Sequence, residues 1–213
     1  WLQFERTFGG LVTYTDFPLL CKRALARGAK LRVCRVDSTA TPSVKATAKN
    51  IPNGDDVPVN LFSVKPKYAG ADYNKVSVAI LAASNGNADY WDLSITHSSE
   101  PGLNEYYANI SAFKKDTATN QTNLNDVKKS SRLLDFTYLD ASSATLLIPE
   151  AAVASAFTGG VDPIGHVDTD YTGAMATFDA LDDGLVMAVP EMDSDAINSA
   201  GATYAKNRGD IVF

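Results

Sequence analysis

The chain has 213 residues, 45% of them apolar and 21% charged, the composition of a globular protein with room for one large or two small domains. Its formal net charge of −6 gives a mildly acidic surface that repels phosphate backbones and anionic lipid, which argues against nucleic acid as a partner. No apolar run approaches the roughly 20 residues needed to cross a bilayer, and the first residues lack the basic-then-apolar order of a secretory signal, so a cytosolic origin without membrane insertion is expected.

Trp1, Phe4 and Phe8 mark one face of a helix that Gly9-Gly10 stops, so the sequence is expected to begin inside a structure. Asp16-Phe17-Pro18 then supplies a cap and an early proline for a second helix through Leu20, Cys21, Ala24 and Leu25, with Gly28 behind it. Leu31–Val36 reads as a strand, completing the helix, helix, strand order of a layered α/β domain. Cys21 and Cys34 are too few for a disulfide framework and lack zinc spacing; both are expected to pack as small buried hydrophobes.

After Asp37 the period changes to two. Alternating segments at Val44–Ala48, Leu61–Lys67, Val76–Ile80, Tyr90–Ile95, Tyr106–Phe113, Leu134–Leu139 and Thr145–Ile148 are separated by turn residues such as Asn53-Gly54-Asp55 and Ser84-Asn85-Gly86-Asn87. They predict an antiparallel β-sandwich or small barrel, in which Leu124–Ser131 is ambiguous, a short helix being one reading. From Asp170 the helical period returns, with Tyr171, Ala174, Met175, Phe178 and Leu181 on one face. Leu185–Val189, a helix capped near Asp193-Ser194-Asp195 and stopped by Gly209, and a last strand at Asp210–Phe213 form a βαβ unit. The fold expected is therefore an α/β domain (1–37 and 156–213) with a mostly parallel sheet, interrupted by a β-rich insertion (38–155).

Chemistry is sparse. A histidine sits among carboxylates in Asp162-Pro163-Ile164-Gly165-His166-Val167-Asp168-Thr169-Asp170, but no second nitrogen ligand accompanies it, and acids before a helix serve as caps. His97 reads as a solvated strand-end residue, Ser194 as a cap rather than a nucleophile, and Gly159-Gly160 lacks the flanks of a phosphate loop. Glu191 and Asp193 are explained by the helix start behind them, and Tyr90-Trp91 and Tyr106-Tyr107 by sheet packing. No catalytic, metal or cofactor residue is assigned, and no cofactor is expected.

A series of short stretches in fixed order resembles contractile tail sheath proteins. Trp1-Leu2-Gln3-Phe4-Glu5-Arg6-Thr7-Phe8-Gly9 matches an aromatic-x-x-Phe-x-x-x-Phe-Gly helix, and Leu31-Arg32-Val33-Cys34-Arg35-Val36 a Val-x-Arg-Val strand. Tyr68-Ala69-Gly70-Ala71-Asp72-Tyr73-Asn74 keeps the Tyr, Gly and Asn of the family's Tyr-Pro-Gly-x-Trp-Gly-Asn, while the Pro, Trp and second Gly are replaced. Asp92-Leu93-Ser94-Ile95 and Glu105-Tyr106-Tyr107-Ala108-Asn109-Ile110-Ser111 follow. Gly159-Gly160-Val161-Asp162 and Tyr204-Ala205 with Arg208-Gly209-Asp210 complete the set.

The resemblance implies a structural, non-enzymatic virion protein of a contractile injection system, assembled in a bacterial cytoplasm. Its partners would be other sheath subunits, in hexameric rings and a helical sheath, and the tail tube. In the family, terminal strands link the subunits by β-augmentation, so this chain alone is expected to be monomeric. The alternative reading is a binding module whose β-rich insertion recognises a glycan or a protein. A metal enzyme centred on His166 is a third.

Overall fold

The computed structural model describes residues 1–8, 15–54, 58–111, 122–139, 148–181, 184–190 and 192–213. In chain order the elements are α1 (Leu2–Phe8), α2 (Phe17–Ala26), β1 (Lys49–Pro52), β2 (Asn60–Pro66), β3 (Val76–Ala82), β4 (Trp91–His97), β5 (Glu105–Ser111) and β6 (Thr122–Asn123). They continue with α3 (Leu124–Ser130), β7 (Leu134–Tyr138), β8 (Ala152–Ala156), α4 (Asp168–Met175), β9 (Leu185–Val186), α5 (Asp195–Arg208) and β10 (Ile211–Val212). Two compact units result, one of Trp1–Ser43 with Pro163–Phe213, the other Val44–Asp162.

The β-rich unit holds two open sheets, ordered β1-β2-β7 and β6-β5-β4-β3-β8. All pairs are antiparallel except the short β5–β6 contact. Alternation decides which side chains turn inward. Phe62 of β2 stacks on Trp91 of β4 with ring centroids 5.5 Å apart, and Phe136 of β7 lies 6.3 Å from Phe62. Val64, Ile80, Leu93, Ile95, Ile110 and Leu134 fill one continuous core around them. This is a sandwich in which, among the described residues, neither sheet closes into a barrel. The ends of the unit meet, because Val44 and Val161 exchange backbone hydrogen bonds of 2.9 and 3.1 Å.

In the other unit Phe4 is buried, stacked on Trp1 at 5.0 Å and edge-on to Phe17 at 6.2 Å, which joins α1 to α2. β9 and β10 are parallel with α5 between them in sequence, the expected βαβ unit. Ser194 caps α5 by accepting from the Ile197 amide, and Gly209 ends it in the left-handed conformation at φ 76°.

Several expectations are corrected. Leu31–Val36 forms no strand: its residues have no ladder partner among the described residues, and strand propensity without pairing does not make a strand. Val44–Ala48 is reduced to the single bridge at Val44, and the continuous strand expected at Leu185–Val189 spans two residues. The helix expected from Asp170 starts two residues earlier, at Asp168, and tightens into a 3₁₀ turn at Ala176–Phe178. Three strands are additional. β1 contains Pro52 where the register slips, β8 is alanine-rich and exposed throughout, and β6 has two residues, so each lacks the usual strand signature. Cys21 is buried as expected, whereas Cys34 is only partly covered. Of Thr145–Ile148, residues 145–147 lie outside the described residues, as do Phe113 and Glu191.

Candidate functional site

The residues of the histidine-and-acid loop are held by partners from neighbouring segments. Asp170, buried at 6% exposure, accepts from the Val167 amide at 2.9 Å and from the Thr39 amide and hydroxyl at 3.1 and 2.8 Å. It thus reaches back from the third position of α4 to the residue before the helix, and ties that helix to Thr39. The Val167 amide, then Thr39, holds its carboxyl below the ordinary range. Asp168 accepts from the Ser194 hydroxyl at 2.7 Å, linking α4 to the cap of α5. His166 places Nε2 3.2 Å from the Val36 carbonyl, with its ring 5.9 Å from that of Tyr171. Asp162 belongs to the β-rich unit, where it accepts from the Ala71 amide at 3.0 Å. Each member therefore has a local structural partner. Among the described residues, no group of three or more His, Cys, Asp or Glu could hold a metal ion.

His97 overturns the reading as a solvated residue, since it is 3% exposed. Its Nδ1 accepts from the Glu100 amide at 3.1 Å, which leaves Nε2 as the protonated nitrogen, donating to Asp72 Oδ2 at 3.1 Å. The strand-end amide of His97 donates to Asn104 Oδ1 at 2.8 Å. With its hydrogen bonds met, the ring can be buried. The bond from His97, with help from Lys75 at 2.9 Å, lowers the Asp72 carboxyl to about 2.

Three clasps involve residues of the later motifs singled out in the sequence. In the first, Asn74 pairs its side-chain amide with the Gly160 peptide, donating to the carbonyl at 2.8 Å and accepting from the amide at 2.9 Å. Gly160 lies so close to Gly70 that a Cβ would stand 2.4 Å from the Gly70 carbonyl oxygen, so only glycine fits without backbone movement. In the second, Asp92, 1% exposed, accepts from the amides of Asn109 and Ser84 at 2.7 and 3.1 Å and from the Tyr106 hydroxyl. Burial raises its carboxyl, but these donors together outweigh that and keep it below its ordinary range. Asn109 occupies φ 54° in a bulge of β5 opposite Asp92. In the third, Arg208 forks onto Asp210 at 2.8 and 3.0 Å and also donates to the carbonyls of Phe178 and Leu181, while the Tyr204 hydroxyl donates to Asp179 at 2.6 Å.

These pairings were not legible as partners in the sequence, which marked their residues only through a family pattern. A shallow groove of about 440 Å³ between α4 and α5 is lined by Thr172, Met175, Ser199, Thr203, Tyr204 and Asn207. Its lining offers hydroxyls and an amide and includes no carboxylate, histidine or cysteine. Trp91 and Tyr73 are buried core aromatics, and burial pushes the Tyr73 hydroxyl up. Tyr106 is exposed but tethered by Asp92, and Tyr107 donates to Glu105 at 2.9 Å. No helix among the described residues is long and apolar enough to cross a membrane.

No family model matches the chain, and no curated protein does. Two solved structures are similar over nearly its full length. The sheath tail protein of Desulfitobacterium hafniense aligns with 98% of this chain at 16% identity and a TM-score of 0.55. The sheath tail protein of Listeria innocua aligns with 97% at 13% identity and a TM-score of 0.56. This chain spans 42% and 39% of those proteins. At such identity the likeness speaks to architecture: the chain has the fold of a corresponding part of the sheath tail proteins.

Proposed function

We propose that this chain is part of a subunit of a contractile tail sheath, which polymerises with its own kind around a tail tube and contracts to drive that tube through an envelope. The observation that carries this reading is the structural match over 98% and 97% of the chain to two sheath tail proteins. The three clasps support it, because they tie loops and strands of each unit together, as a stiff subunit requires. A sheath works by moving stiff bodies between two lattices, so it needs internal rigidity and bistable contacts. On this reading the protein is not an enzyme.

We further propose that Val44–Asp162 is an inserted domain on the outside of the assembled sheath. Its paired ends at Val44 and Val161 are the arrangement that lets an insertion leave and re-enter a host domain at one place. Immunogold labelling of tail particles from the encoding organism, with antibody raised against this chain, tests both ideas. Label along the whole sheath is expected. Label confined to a baseplate or fibre, or none on intact tails, would overturn the reading.

A further inference from the structure

Two Asn-Gly dipeptides occur among the described residues, and the fold treats them in opposite ways. Asn53, before Gly54, is 3% exposed. Its amide donates to the Val59 carbonyl at 2.9 Å, its Oδ1 accepts from the Val59 amide at 2.7 Å, and it bridges to Pro149. Asn85, before Gly86, lies in the exposed turn between β3 and β4, where every residue from Ser84 to Asp89 is exposed. A Cβ would meet nothing within 4 Å at Gly86 or at Gly54, so the two sites differ at the asparagine, exposed at 85 and buried at 53.

We infer that Asn85-Gly86 is a site of spontaneous succinimide formation, converting Asn85 to aspartate and isoaspartate, and that Asn53-Gly54 is protected. In the reaction the Gly86 backbone nitrogen, after losing its proton to base, attacks Asn85 Cγ. The Cγ–Nδ2 bond breaks and ammonia leaves with a proton from solvent. Water then opens the five-membered imide at either carbonyl, giving an α- or a β-linked aspartyl residue. Glycine favours the step because no side chain obstructs the approach of its nitrogen.

The turn also assists the electrophile. Asn85 Oδ1 accepts from the Asn87 amide at 2.9 Å, a donor aimed at the oxygen on which negative charge develops as Cγ becomes tetrahedral. The Gly86 amide donates to the Ala83 carbonyl at 3.0 Å, so the turn must open before attack, and exposed turns open at low free energy. Asn53 has a similar donor on its Oδ1, but its burial and its paired backbone withhold base and freedom of movement. The product adds a carboxylate, and in the β-linked form a backbone methylene, where the Asn85 amide donates to Asn109 Oδ1 at 3.1 Å. Conversion therefore strikes the turn beside the Asp92 clasp.

The test is to incubate the 213-residue chain at mildly alkaline pH and follow tryptic peptides by mass spectrometry, with isoaspartate quantified by enzymatic methyl transfer. Asn85 is expected to convert roughly tenfold or more faster than Asn53, with the β-linked product in excess, the protection ratio expected of a native, paired backbone. Asn85→Gln, whose longer side chain disfavours the five-membered ring, should abolish the methyl-acceptor signal of the tryptic peptide that carries residue 85. An Asn85 that stays intact while a short peptide of the same sequence converts would overturn the inference. Conversion of Asn53 at the same rate in the folded chain would do so equally.

Discussion

Asn74 and Gly160, 86 positions apart, pair like two peptide groups: the asparagine side chain donates at 2.8 Å and accepts at 2.9 Å. An amide side chain here substitutes for a strand, and closes the β-rich unit beside the Val44–Val161 bridge. Replacing Asn74 by Ala removes both bonds and leaves two partly buried backbone groups without their partner, a loss of about 2 kcal/mol in unfolding free energy by urea titration. Gly160→Ala should cost at least about as much, because the new methyl meets the Gly70 backbone rather than a yielding side chain.

How far the sequence could be read follows from the distance between partners. α5 was legible because its cap, Ser194, and its stop, Gly209, lie at its own ends. β3 and β4 were legible because strong alternation buries Val78, Ile80, Leu93 and Ile95. His97 was misread because its burial depends on Asp72, 25 positions away, and no local pattern announces that bond. Leu31–Val36 failed in the opposite sense, with local propensity present and no pairing strand among the described residues. At the His166 loop the acids were readable as caps, while their partners Thr39 and Ser194 emerged only from the fold.

The Asp72–His97 pair gives an acid-side signature. The folded carboxyl, lowered to about 2, lies below its unfolded value near 3.8, so its contribution to stability is present above about pH 4 and is lost as pH falls toward 2. Asp72 is 44% exposed, which screens the interaction and limits the contribution to about 1 kcal/mol. Asp72→Asn should therefore lower stability at pH 6 by about that amount. The gap from the original protein should narrow by pH 2 in urea titrations at each pH.

Phe62 joins the two sheets through Trp91, packs beside Phe136 of its own sheet, and is fully buried. Phe62→Ala is expected to cost about 3–5 kcal/mol, with loss of near-ultraviolet circular dichroism at temperatures where the original protein stays folded. An unchanged melting temperature would contradict the two-sheet core.

The loop around His166 should behave as structure. His166→Ala is expected to keep the fold, and protein purified without chelator should carry no stoichiometric zinc or iron by elemental analysis, since its neighbouring acids hold α4 and α5 in place. Asp170→Ala should lower the melting temperature by a few degrees, because the amides of Val167 and Thr39 lose their acceptor.

Whether this chain forms part of a sheath subunit is decided by cryo-electron microscopy of tail particles from the encoding organism. The account predicts a helical outer layer around the tube whose repeating density accepts both units of this chain, with Val44–Asp162 outermost. A sheath layer fully explained by another polypeptide, with this chain found in a fibre, a baseplate or nowhere on the particle, would contradict it.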